Sequence, residues 1–270
     1  MPTPAIGLQP AGDRRVSVAI DNAARRTGIS FDYLMGQARI ESSLDPDAQA
    51  STSSAAGLFQ FTRQTWLATL SQHGASHGLD WAANAISKGA DGQYQVSDPK
   101  LREQVLALRF DPEAPSAMAA ESAGDNADML RARFGEEPAP VDLYLAHFLG
   151  PQGAAQFLAA WRDDPEAPAA PLNPAAAAAN RNIFYNTDGS VRSLDAIRSR
   201  FAARLEQQPG NWGTPVTLRT QMASRAHSNS QSSQEFLQMR TIEPMPQQLS
   251  LAFAERAYQR LAGLDQGSAA

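Results

Sequence analysis

Residues 38–61, ARIESSLDPDAQASTSSAAGLFQF, place an acid where a helical phrase runs out and follow it with a loop, 48–61, that carries no charge. Glu41 falls one turn past Gln37, beside the apolar positions of that helix and near the pole where backbone carbonyls disfavour negative charge. Leu58, Phe59 and Phe61, with Trp66 behind them, can wall the carboxyl off from water. Burial and the negative helix pole both favour the protonated form. An acid so placed can give its proton to an oxygen as a bond to that oxygen breaks. Position alone is weak support, because glutamates are almost never fully buried unless paired. Other chemistries find less. The chain has no cysteine, which excludes disulfides, thiolate nucleophiles and cysteine metal sites and leaves the redox compartment open. His73 and His77 are four apart, but Gly74 and Gly78 undermine the helix that would align them, so no metal site and no cofactor is expected. Neither a serine-hydrolase elbow nor a phosphate-cradling loop is expected.

The elements that must hold such an acid read as helices throughout. Val16, Ile20, Ala23 and Ala24 predict a first helix over 14–26, with Asp13 ahead of it and Gly28 after it. Ser30 can cap a second, in which Phe31, Leu34, Met35 and Ala38 form a buried stripe running to Ile40 and Glu41. Thr62 can open TRQTWLATLSQHG, closing at Gly74, while Asp98-Pro99 and Asp111-Pro112 each offer a capping acid and a proline suited to a first helical position. DLYLAHFLG and PQGAAQFLAAW read as two helices meeting at Gly150, and SLDAIRSRFAARL as another after Ser193. No major sheet is expected. Short hairpins remain open around Asp188-Gly189 and between Gly89 and Val96. Trp66, Trp81 and Trp161 lie in or beside helical patterns and are assigned to core packing.

As a whole the phrase around Glu41 resembles the soluble lytic transglycosylase (SLT) family, whose signature is Glu-Ser, an Asn/Asp-Pro turn, a small-residue loop and Gly-Leu-Met-Gln. Here Phe59 stands for the methionine, and the loop is about one residue longer. The resemblance implies an all-α, lysozyme-like domain with Glu41 as sole acid/base, and Ser42 and Ser51 beside it. It puts Ser42, Ser51, Gly57, Phe59 and Gln60 along a sugar cleft, with Tyr144 and His147 as further substrate-binding candidates. The family's third element, Ala-Tyr-Asn-Ala-Gly, is altered. In LYLAHFLGPQG, Ala146, Gly150 and Pro151 fit, but His147 falls on the tyrosine and Phe148 on the asparagine, which implies either that His147 or Tyr144 takes over the contact to the acid or that the cleft has an altered substrate preference. The implied reaction cleaves the MurNAc–GlcNAc β-1,4 bond of peptidoglycan to a 1,6-anhydromuramyl end. Two alternatives stay open: a hydrolytic, lysozyme-type muramidase, and a non-catalytic wall-binding or assembly protein. Asp45 and Asp47, in a D-P-D turn, are assigned to shaping the loop.

The 270 residues, 43% apolar and 19% charged, can fill a real core. A net charge of −5 argues against nucleic acid as partner, and Arg14-Arg15 and Arg25-Arg26 read as solvated helix faces. No run approaches the roughly 20 apolar residues of a membrane span. The expected partner is a peptidoglycan glycan strand, with periplasmic residence following from it although the first residues lack a secretory-leader pattern. The expected organisation is a flexible 1–12, a catalytic domain over 13–208, a Ser/Gln-rich linker over 209–247, an amphipathic helix over 248–264 and a flexible 265–270. That last helix is expected either to dock on the domain or to bind an envelope, secretion or flagellar machine protein.

Overall fold

A computed structural model describes residues 11–206 apart from Thr52. The linker and terminal helix expected over 209–264 lie outside the described residues, as do residues 1–10.

Capping residues open most of the early helices. Helix α1 (Ala11–Thr27) buries Val16, Ile20, Ala23 and Ala24 and ends where Gly28 N donates to Ala24 O at 2.8 Å. It starts two residues before Asp13, which therefore lies within the helix and not ahead of it. Helix α2 (Phe31–Ser42) opens at Ser30, whose hydroxyl accepts from Tyr33 N. Thr62 does the same for Thr65 N at the head of α3 (Arg63–His73), which runs into a tight 3-10 turn over 74–77. After the short α4 (Asp80–Asn84), strands β1 (Ser87–Lys88) and β2 (Tyr94–Gln95) pair antiparallel, the hairpin left open near Gly89. Asp98 caps α5 (Pro99–Ala107) with Pro99 at the first helical position. A second 3-10 turn, Leu108–Phe110, leads to α6 (Glu113–Phe134), where Asp111 Oδ1 accepts from Glu113 N at 3.2 Å.

Helix α7 (Pro140–Asp163) is two helices joined at Gly150, whose φ of 73° and ψ of 160° are not helical. Pro151 explains the break: a residue before proline is pushed out of the helical region, and proline has no N–H to continue the ladder. Helices α8 (Pro174–Ala179) and α9 (Arg181–Phe184) follow, then a turn with a Tyr185–Val191 bridge around Asp188-Gly189, then α10 (Leu194–Glu206) capped by Ser193.

The result is the all-α architecture expected, with one small hairpin. Helix α1 packs on α6, α7 packs on both α6 and α10, and α10 also reaches α2. Met118, Ala120, Leu145, Phe148 and Phe201 fill the space between them. Each large apolar side chain buried this way is worth roughly 1.5–3 kcal/mol relative to exposure.

Candidate active site

Tyr33, Gln37 and Glu41 follow one another at four-residue intervals along α2, so they share a face, and all three are buried. The Glu41 side chain is 2% exposed. Just beyond it the helix is stopped by two successive left-handed residues, Ser43 at φ 60° and Leu44 at φ 67°. Their N–H groups turn back to Arg39 O and Ala38 O at 3.0 and 3.4 Å. Non-glycine residues hold this conformation only where their surroundings over-determine it, and such places cluster at functional sites. Here the tie is Ser42, whose hydroxyl is shared between Ala38 O at 3.1 Å and Leu58 O at 2.8 Å, fixing the helix end to the following loop. Asp45 Oδ1 accepts from Asp47 N at 2.9 Å and shapes the turn between them.

The loop folds back on itself through bridges from Ala56 to Gln49 and to Phe61. Gly57, at φ 77°, donates its N–H to Ala48 O at 2.8 Å and lies so close to the chain at Arg109 that a Cβ would meet Arg109 O at 1.8 Å. Gln60, also left-handed, donates its side-chain amide to Gly57 O at 2.8 Å and Ala48 O at 3.1 Å. Arg109 closes the structure from outside the loop: Nη1 donates to Ser54 O at 2.7 Å and Phe61 O at 3.2 Å, and Nε to Leu106 O at 3.1 Å. Burial, reinforced by Arg63, pulls this guanidinium below its ordinary value.

The acid meets groups from a second segment more than a hundred residues away. Tyr144 and His147, three apart on the first half of α7, project side by side. Tyr144 Oη donates to Glu41 Oε1 at 3.5 Å, and His147 Nε2 lies 3.2 Å from the same oxygen. Tyr144 is fully buried, its ring edge-on to Phe201 of α10 at 5.3 Å; the His147 side chain is 34% exposed. Burial, then the charge of Glu41, pushes the Tyr144 phenol well above its ordinary value, and Tyr33 is raised by the same two causes in the same order. Both phenols therefore stay protonated and act as donors.

Residues 18–101 match the family model described as the transglycosylase SLT domain. That segment belongs to the SLT family. The match takes in most of α1, all of α2, the loop, α3, α4, the hairpin and the start of α5. It ends before Tyr144 and His147.

Within the SLT segment two expected sugar contacts have another place. Phe59 is 1% exposed and belongs to the core, so its ring supports the loop from beneath. Ser42 is 4% exposed and its hydroxyl is spent on backbone carbonyls. Tyr144 is buried and donates to Glu41 Oε1. Ser51 is exposed and forms no hydrogen bond to Glu41. Gly57 and Gln60 shape the turn. Trp66 is in the core, its Nε1 donating to Val105 O at 2.8 Å, and Trp161 is partly buried with its Nε1 on Asp195. Trp81 departs from the core assignment: it is 45% exposed on the five-residue α4, too short a helix to bury a full stripe. His73 and His77 pair with α6 carboxylates, Asp125 at 2.8 Å and Glu121 at 2.6 Å. Residues 74–78, GASHG, do spell Gly-x-Ser-x-Gly, but they form a turn after a helix where an elbow needs a strand before it, and Ser76 Oγ donates to His73 O.

Tyr33, Arg109 and Phe201 were not singled out from the sequence. The stripe at 33, 37 and 41 was a visible signal for Tyr33, whereas the other two act across 55 and 57 residues.

Proposed function

We propose that the protein is a peptidoglycan lytic transglycosylase in which Glu41 is the general acid and base for cleavage of the MurNAc–GlcNAc β-1,4 bond. An SLT domain indicates activity of this type on peptidoglycan. The observation that carries the finer reading is a single carboxyl, 2% exposed at a helix end, with Tyr144 Oη and His147 Nε2 both on its Oε1. Oε2 carries neither contact and is the oxygen available to the glycosidic bond.

Ordinary glycosidases use two carboxyl groups, one to protonate the leaving oxygen and one as nucleophile or water activator. In this reading the N-acetyl oxygen of the muramyl sugar takes the second role. Protonated Glu41 gives its proton to the glycosidic oxygen as the C1–O bond breaks and the acetamido oxygen closes on C1. The sugar's own 6-hydroxyl then displaces that oxygen and loses its proton, giving the 1,6-anhydro end without consuming water. Gln60 and the exposed face of His147 border the strand. Peptidoglycan lies outside the cytoplasmic membrane, so the enzyme works there, in the periplasm where the cell has one. No described helix is long and apolar enough to cross a membrane.

Glu41→Gln keeps the shape of the side chain and removes its titrating proton. Release of soluble muropeptides from purified sacculi is expected to fall by about 10²–10⁴-fold, the ordinary contribution of general acid–base catalysis, with the fold retained. Mass spectrometry of the fragments gives the product: anhydro ends are one water lighter than the reducing ends of a hydrolytic muramidase. Undiminished release by the variant refutes the role of Glu41. Binding to sacculi with no fragment released by the unmodified protein would make it a wall-binding protein instead.

A further inference from the structure

Gln37 lies one helical turn before Glu41 on the same face of α2, and at 4% exposed it is buried about as deeply as the acid, at 3%. Side chains four apart on a helix have Cβ atoms about 5–6 Å from each other, so a sugar that reaches the Glu41 carboxyl comes within range of the Gln37 amide. The amide oxygen, Oε1, is buried and has no hydrogen-bond partner among the described residues. Buried polar atoms are nearly always paired, and an unpaired one carries the full penalty of desolvation. Packing does not call for an amide there, since a methionine of nearly the same length would fill the space without that penalty. Whichever way round it stands, the amide offers an acceptor and a donor pair beside the acid.

We propose that Gln37 holds the acetamido group of the muramyl sugar, its Oε1 accepting from the acetamido N–H, an assignment that rests on the lytic transglycosylase reading above. The acetamido nitrogen and the glycosidic oxygen are carried by adjacent carbons of the sugar ring. The group that protonates the oxygen and the group that holds the nitrogen must therefore be neighbours, as Glu41 and Gln37 are on α2. An acceptor on the N–H fixes the plane of the acetamido group and leaves its carbonyl oxygen free to close on C1. The same hydrogen bond polarises the amide, which makes that oxygen the better nucleophile. Gln37 gives and takes no proton: Glu41 remains the acid and base, and Gln37 sets the aim of the group that attacks. Bound substrate thus pairs the one oxygen that the fold leaves without a donor on this face.

The test compares the full chain with Gln37→Met on uncrosslinked glycan strands, following kcat, KM, fragment mass and the urea midpoint. Gln37→Met is expected to lower kcat by about 10–100-fold with KM changed less than about threefold, because misplacing a reacting group by an ångström costs up to about that much in rate. Its urea midpoint is expected to equal or exceed that of the parent, since methionine removes a buried unpaired oxygen and opens no gap. An amide kept for the fold gives the reverse signature, a lower midpoint with kcat unchanged. Parent-like kcat, a loss confined to KM, or a lowered midpoint overturns the role of Gln37, while inactive Glu41→Gln and anhydro ends keep the function. Reducing ends, or no fragments from the parent, overturn the function and the role of Gln37 together.

Discussion

Gly57→Ala tests how the loop is held. The glycine is at φ 77°, where an L side chain costs roughly 1–2 kcal/mol per residue. That is the smaller part. A Cβ there would lie 1.8 Å from Arg109 O and 2.8 Å from Arg109 C, both backbone atoms that cannot rotate away. Real Cβ contacts essentially never fall below 3.0 Å, so the loop and the turn at Arg109 must separate by more than an ångström. Such a shift breaks the 2.7 Å bond from Arg109 to Ser54 O and the 2.8 Å bond from Gly57 N to Ala48 O, and leaving buried polar groups unpaired costs about 1–3 kcal/mol each. Together the loss is expected to be about 3–8 kcal/mol. Gly78 supplies the control. Its φ is 74° but nothing lies within 4 Å of its Cβ position, so Gly78→Ala should cost only the backbone part, about 1–2 kcal/mol. Urea unfolding of both variants, compared at equal slope, separates the two contributions. In a thermal melt Gly57→Ala should lie at least about 4 °C below Gly78→Ala, at about 2–4 °C per kcal/mol for a domain of this size. Coincident midpoints for the two alanine variants would refute the close approach as the reason for this glycine.

Two further perturbations address what surrounds the site. Arg109→Met keeps the stem and removes three hydrogen bonds, so the loop over 51–61 should exchange its amide hydrogens faster and global stability fall by about 1–3 kcal/mol; unchanged exchange there would show that Arg109 does not staple the loop. His73 is held above its ordinary value of 6.5 by its hydrogen bond to Asp125, against the opposing effect of burial and with help from the charges of Asp125 and Glu121. Because the folded value is the higher one, its contribution is fully present below 6.5 and is lost as pH rises through the folded value. With Asp125 half exposed the effect is small, about 0.5–1 kcal/mol, and His73→Gln should flatten the fall in urea midpoint as pH rises above 6.5; identical slopes in parent and variant would rule it out.

Local rules made the helices legible and non-local contacts hid the support of the acid. Ser30, Thr62 and Asp98 each cap the helix their side-chain chemistry favours, and Gly150-Pro151 splits α7, because caps and proline act within three or four residues. Asn173-Pro174 carries the same signal for α8, where Asn173 Oδ1 accepts from Ala176 N. The small-residue loop misled in one respect. The resemblance puts Ser42 and Phe59 along a sugar cleft, yet both are buried, beside left-handed residues at 43, 44 and 60. Left-handed serine, leucine and glutamine have no sequence signature, since it is the tertiary setting that holds them there.

The division between the matched segment and the rest of the chain has a physical meaning. Residues 18–101 supply the carboxyl and its loop, but the groups on Glu41 Oε1 come from α7, and α7 is fixed in turn by α10. Asp142, 6% exposed at the head of α7, accepts from Ala139 N at 3.1 Å and from Arg198 Nε at 2.9 Å. Arg198 lies over the Trp161 ring at 4.3 Å, Trp161 donates to Asp195, and Phe201 meets both Tyr144 and Phe148 edge-on at 5.3 and 5.0 Å. Turning Tyr144 away from Glu41 would break that aromatic packing, and rotating α7 would leave Asp142 buried without its guanidinium. The acid is thus positioned by a segment beyond the matched residues, and the packing behind Tyr144 keeps its contact to Glu41 in place.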